Sequence, residues 1–189
     1  MNSGMAQSQF IQSVVKAAKG RPRSTAWYKD KIADFGKPGA MDLIRDGKQS
    51  TSPHYGRLNM FFYDPKWKKK LPYYDRFPLV LPLEKYNDGF LGINFHYLPM
   101  DIRIGLLDKM VDFSNNTQFD ESTILQVSYD AVKGIRGVKP TVKRYLAGHV
   151  KTRFRRIDAD EFTVAVLLPV QRFSKASAEE VWKDSKGML

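Results

Sequence analysis

FPLVLPLEKYNDGFLGINFHYL, residues 77–98, is the stretch on which the fold turns. Two runs rich in aromatic and branched residues flank Asn87-Asp88-Gly89. Asp-Gly between such runs marks a hairpin, because glycine accepts the positive backbone angles of a tight turn. The segment is therefore read as two antiparallel strands. Pro78 and Pro82 cannot donate to a ladder, so the first run is expected at an edge, as a bulged strand or as an irregular stretch. Upstream, LNMFFYD at 58–64 has the same character, and DPKWKKKLPYYD at 64–75 separates it from the hairpin. Tyr73, Tyr74, Phe77, Phe90, Phe95 and Tyr97 bring large apolar area to a small sheet.

Outward from this centre the period changes. SQFIQSVVKAAKG at 8–20 and TAWYKDKIADFG at 25–36 each place apolar residues at helical spacing and close on a glycine. Residues 36–57, rich in Gly, Pro, Ser and Thr, read as an extended arm on the main body. Beyond the hairpin, Ile104, Leu107 and Met110/Val111 share a helix face, and a second helix is expected from Ser122. Pro140 suits a helix first turn, with Val142, Leu146 and His149/Val150 forming a stripe through TVKRYLAGHV. KTRFRRID at 151–158 alternates as a strand does, and DADEFTVAVLLP at 158–169 fits either a capped helix or a buried strand. SKASAEEVWKDSKG at 174–187 is a polar helix with a serine cap. The expected fold class is α+β: a small antiparallel β-sheet or SH3-like barrel flanked by several α-helices. The expected division is 1–57, N-terminal helices and extended arm, and 58–189, an α+β core domain with its C-terminal helix.

A chain of 189 residues with 42% hydrophobic content buries one real core and has little room for two full domains. It has no cysteine, which removes disulfides, cysteine zinc sites and thiol nucleophiles together. The polar N-terminus MNSGMAQSQ lacks the layout of a signal peptide. The longest apolar run, Phe162 to Val170, falls well short of the roughly 20 residues a membrane helix needs, so no membrane partner is expected.

Lys and Arg number 31 against 20 Asp and Glu, a net charge of +11, and the excess is segregated. Residues 131–156 hold Lys133, Arg136, Lys139, Lys143, Arg144, Lys151, Arg153, Arg155 and Arg156 and no acid, whereas 101–130 and 157–189 are slightly acidic. If KTRFRRID is extended, Lys151, Arg153 and Arg155 share one face and Phe154 the other. In a helical 141–150, Lys143 and Arg144 stay together and Lys151 continues their line. Such a strip neutralises phosphates and releases their counterions without reading bases. The alternatives are a solvated face or a contact for an acidic subunit. Lesser clusters are Lys66, Lys68, Lys69 and Lys70, and the opening segment with Arg21 and Arg23. Trp67, Tyr73 and Tyr74 beside the lysine run offer either stacking faces for unpaired bases or core contacts.

Catalytic signals are missing. His54, His96 and His149 lack metal-site spacing, and no nucleotide-binding loop, nucleophile elbow or zinc-protease helix occurs. Asp158, Asp160 and Glu161 are the one tempting carboxylate group for a metal-dependent nuclease, and a helix N-terminus explains them more simply. Asp64, Asp75 and Asp88 fit turns. No catalytic residue, metal or small-molecule cofactor is expected.

The words YDPK, LPYYDxFPLV, GFLGxNxHYLP and KRYL, spread over roughly residues 21–173, resemble the DNA end protector (head completion) family of T-even-like and cyanophage contractile-tailed bacteriophages. The resemblance implies a non-enzymatic virion protein that rides on the ends of the packaged linear genome. There it shields double-stranded DNA termini from host exonuclease after injection. It further implies residence in the virion, then in the host cytoplasm, alongside other head, neck or tail proteins. The alternative is a structural neck, tail or baseplate assembly protein whose basic face meets acidic subunits. The family supplies no binding residues, so the candidates Lys139, Lys143, Arg144, Lys151, Arg153, Arg155, Arg156, Lys68, Lys69, Lys70, Arg21 and Arg23 rest on the charge map. Lys139, Lys143 and Arg144 are where charge and the KRYL word coincide.

Overall fold

The computed structural model describes residues 48–100, 102–103, 139–157, 165 and 170–188. The two opening helices, most of the arm, the helices expected after Asp101 and from Ser122, and all of 158–169 except the buried Ala165 lie outside the described residues.

The hairpin forms as its sequence requires. Strand β4 (Leu79–Tyr86) turns at Asn87-Asp88 into β5 (Gly89–Asn94), with Tyr86 opposite Gly89. Around it β1 (Gln49–Ser50), β2 (Leu58–Met60), β6 (Val142–Leu146) and β7 (Phe154–Ile157) complete a six-stranded sheet of order β1-β7-β2-β4-β5-β6. Every pairing in it is antiparallel. The end of the arm thus serves as an edge strand.

The proline-bearing run is an interior strand, not an edge, and its prolines are accommodated in two ways. Along β4, strand β2 reaches only Leu79 and Val80, so Pro82 lies past the end of that ladder. The register with β5 then shifts between Pro82 and Glu84, a bulge where an N–H is missing. Glycines let the neighbouring strands approach. A β-carbon on Gly89 would collide with the Tyr145 carbonyl, and one on Gly92 with the Val80 side chain.

Both faces of the sheet are buried. Registers place Val80, Phe90, Tyr145 and Phe154 on one face, where Phe61 and Tyr63 complete an aromatic cluster. Phe61 sits edge-on to Phe90 and Tyr145, and Phe90 stacks on Tyr145 at 5.2 Å. On the other face Leu58, Leu79, Leu81, Ile93 and Ile157 are all fully buried. Two-sided burial explains why FPLVLPL is continuous in apolar residues and does not alternate.

Among the described residues the sheet curls without closing. A bridge joins Tyr63 to Val150, and Lys151 N–H donates to the Phe62 carbonyl. Among the described residues no ladder joins β1 to β6, so the barrel is open. A small second sheet pairs β3 (Tyr74–Asp75) with β8 (Phe173–Ser174).

TVKRYLAGHV is a strand followed by a 3-10 turn, which overturns the helix expected there. Val142 and Leu146 fit helical spacing, but Lys143 and Tyr145 fit alternation equally. The open edge of β5 decides between them by offering a ladder from Gly89 to Ile93. Pro140 occupies a 3-10 turn at Lys139–Thr141. Of the several flanking helices expected, the described residues show one in full, Ala178–Gly187, beside 3-10 turns; Met100, Ile102, Arg103 and Ala165 are also helical, and the rest of the expected helical segments lies outside the described residues. The start of Ala178–Gly187 is a capping box: Ser177 Oγ accepts from Glu180 N–H, and the Glu180 carboxylate accepts from Ser177 N–H. Val181 is fully buried, and Trp182 Nε1 donates to the His96 carbonyl at 2.8 Å. No described helix is long and apolar enough to cross a membrane.

Candidate nucleic-acid interface

Between β2 and β3 the chain makes a compact turn carrying the lysine run. Lys68 N–H donates to the Pro65 carbonyl, and the amides of Lys70 and Leu71 both donate to the Trp67 carbonyl. Two clamps hold this turn. Lys68 Nζ reaches both Asp64 carboxylate oxygens at 2.9 Å, and its hydrogen bond keeps the exposed Asp64 carboxyl below its ordinary pKa. Lys175 Nζ donates to the carbonyls of Lys68, Lys69 and Leu71 at 2.6, 3.2 and 2.8 Å. Lys175 has a φ of 74°, which disfavours any residue with a β-carbon. Three acceptors on one ammonium offset that cost. The turn presents Lys66, Trp67, Lys68, Lys69 and Lys70 to solvent, with Trp67 57% exposed.

Facing the turn is β6, and there the expected pairing of cations breaks down. Lys143 lies opposite Gly92 and Arg144 opposite Leu91, so they point to opposite faces of the sheet. Lys143 Nζ sits 4.2 Å from the Tyr97 ring centre, and burial lowers its pKa. Arg144 stacks on Tyr86 at 3.9 Å and pairs with Asp88 in the hairpin turn. The turn and Lys143 meet across a cleft of about 360 Å³ walled by Trp67, Tyr73 and Tyr97.

The remaining candidates divide in the same way. Lys151 and Arg153 are exposed in the link before β7, where Lys151 shares a shallow groove with Lys68 and Arg76. Arg153 lies with Tyr55 and Lys85 in another hollow. Arg155 pairs opposite Met60 and Arg156 opposite Asn59, so they occupy opposite faces and are half-buried within the sheet. The single strip expected of Lys151, Arg153 and Arg155 is therefore not formed: regular alternation begins only at Phe154. Lys139 lies in the 3-10 turn before β6, and Arg21 and Arg23 lie outside the described residues. The structure thus brings Lys66–Lys70, Lys143 and Lys151 to one side, with Arg144 also lining the cleft, and half-buries Arg155 and Arg156 within the sheet.

Sequence reasoning missed three cations that this side depends on: Lys175, Arg76 and Arg172. Arg172 packs over Phe62 and Phe77, and its carbonyl accepts from Arg76 N–H. Arg76 stands alone in sequence, and Arg172 and Lys175 lie in a segment, 157–189, that is acidic overall, so charge clustering carried no signal of them.

Asp75, expected in a turn, is buried in β3 at the centre of a polar network. Its carboxylate lies 2.6 Å from His96 Nδ1 and accepts from Asn94 Nδ2 and from the amides of Phe77 and Arg172. Burial pushes its pKa up, but His96 and these donors outweigh it and the net shift is downward. Burial lowers the His96 pKa against the pull of Asp75. Arg103, fully buried, donates to the carbonyls of Leu98 and His96, and burial lowers its pKa to about 9. His149 Nδ1 meets the Asp64 carbonyl, and His54 N–H donates to Asn59 Oδ1. These contacts tie segments together. Among the described residues no three His, Asp or Glu converge to hold a metal ion, and Asp158, Asp160 and Glu161 fall outside those residues.

A family model described as Phage T4 terminal DNA protecting protein matches residues 6–185. No curated protein and no solved structure matches the chain significantly.

Proposed function

Since the chain belongs to the phage T4 terminal DNA protecting protein family, we propose that it covers the ends of a packaged linear genome without catalysis, so that an exonuclease cannot load. The family match over residues 6–185 carries this reading. The clustered cations of the lysine turn, Lys143 and Lys151 support it, because they form a firm cationic rim beside an aromatic cleft. Duplex DNA presents phosphates along its whole length, so charge alone yields coating. End protection additionally requires a feature that only a terminus satisfies.

On this reading the protein completes the filled head, travels in the virion and enters the host cytoplasm with the DNA. Its partners are double-stranded termini and neighbouring virion proteins. The test is competition: full-length protein bound to linear duplex is challenged with closed circular DNA of the same sequence. Circular competitor is expected to displace it poorly and linear competitor well. Equal displacement overturns end recognition and leaves nonspecific coating, and failure to retard linear DNA at 50 mM salt favours a purely structural neck, tail or baseplate role.

A further inference from the structure

We propose that the cleft between the Lys66–Lys70 turn and β6 is a receptor for one unpaired terminal nucleotide, its base stacked on Trp67 and its phosphates held by Lys66, Lys70 and Lys143. This rests on the end-protection reading and deepens it by naming what marks an end. A cavity of about 360 Å³ is room for a nucleotide. Pockets that enclose small ligands run from about 300 to 1,000 Å³.

Its walls are aromatic. Tyr73 and Tyr97 lie 6.0 Å apart on the inner side, and Trp67 forms the exposed lip. Three cations stand at its aromatic rings: Lys66 and Lys70, whose Nζ atoms lie 5.3 and 5.2 Å from the Trp67 ring centre, and Lys143 over Tyr97. The carboxylate that reaches the cleft, Asp75, is engaged by His96, Asn94 and two amides, so what the cleft offers an incoming anion is positive. Lys66 and Lys70 are exposed, and their stems are free to swing onto phosphate when a base takes the indole face.

Within a duplex both faces of every base are covered by neighbours. A terminal pair has one face free, and a frayed or overhanging nucleotide has two. An aromatic floor with a cationic rim therefore distinguishes an end from any internal position without reading sequence. The Lys175 clamp and the Asp64–Lys68 pair keep the turn formed before DNA arrives, which reduces the ordering cost of binding.

The test uses the full chain and linear duplexes carrying 2-aminopurine either in a one-nucleotide overhang or internally. Binding is expected to change the fluorescence of the terminal probe and leave the internal one unaltered. Trp67→Ala is expected to abolish that change and weaken overhang binding about tenfold, as loss of one base–aromatic stack does, while affinity for closed circular DNA is unaffected. Trp67→Tyr should restore most of it. If Trp67→Ala retains the fluorescence change and the overhang affinity, the nucleotide receptor is wrong even though end preference stands. If wild-type protein shows no preference for linear over circular DNA, the end-protection reading falls first and the receptor with it. Because Trp67 is largely exposed, the thermal melt of each variant should match wild type, which separates lost binding from lost fold.

Discussion

Arg153 and Arg155 stand two positions apart and do different work. Arg153 is exposed beside a hollow, whereas Arg155 is half-buried opposite Met60 with one guanidinium nitrogen shielded from solvent. Arg153→Glu should weaken DNA binding and shift stability by no more than about 0.5 kcal/mol, while Arg155→Glu should cost about 1–3 kcal/mol by burying a carboxylate within the sheet. Thermal melts and gel retardation on both variants check the split, and equal melting temperatures would contradict it. Asp75 is the larger lever. Removing it in Asp75→Ala strips His96 and several amides of their partner and should cost about 3–5 kcal/mol, the usual penalty for breaking a buried pair. The pH dependence follows from the same network. The folded state depresses both the His96 and the Asp75 pKa. A depressed group stabilises the fold above its unfolded value and loses that contribution as pH falls through its folded value. Stability should therefore be level between about pH 6.5 and 8 and decline on acidification, first through His96 and then through Asp75. A melting temperature that rises between pH 6.5 and 4.5 would contradict the assignment.

At the scale of elements, the hairpin mouth is the point of greatest constraint. Gly89 lies against the Tyr145 carbonyl, so Gly89→Ala must push β5 from β6, at about 1–3 kcal/mol. Faster amide exchange in Val142–Leu146 reports it, and an unchanged exchange pattern would show that the strands can part freely. This hairpin was legible because Asn87-Asp88-Gly89 between two apolar runs is a local signal, and the serine cap of the C-terminal helix was legible for the same reason, though not which serine or its pairing with Glu180. Strand β6 was not. Its apolar residues satisfy two periods at once, and only the free edge of β5, a partner some fifty residues upstream, chooses between them. The error carried into the site: a helix keeps Lys143 and Arg144 side by side, whereas a strand sends them apart. The interior position of β4 was hidden similarly, since nothing local reveals that β2 is too short to reach Pro82. At Asp75 the local turn contact was legible, since Phe77 N–H donates to its carboxylate, whereas its burial against His96 was not, because His96 comes from another strand's end.

For the whole molecule, the segregated charge foretold where to look better than which residues to name. Among the described residues, the cations between 143 and 156 do not fold into one strip, because a sheet buried on both faces distributes consecutive cations to two sides. The surface that emerges is composite, with the lysine turn from 66–70, Lys143 and Lys151 joined by Arg76 and Lys175. Its aromatic cleft arises from three separated segments, 63–75, 94–97 and 143–146, and had no sequence signature beyond the proximity of Trp67 to the lysines. Affinity for linear DNA should fall with salt at a log–log slope of about −0.9 per phosphate engaged. The decisive experiment challenges linear duplex, saturated with the full chain, with a processive exonuclease that starts at free ends. Digestion is expected to stall at the termini, and an internal cut made afterwards should release it. Degradation at the rate of naked DNA, with the protein still bound, would contradict the account.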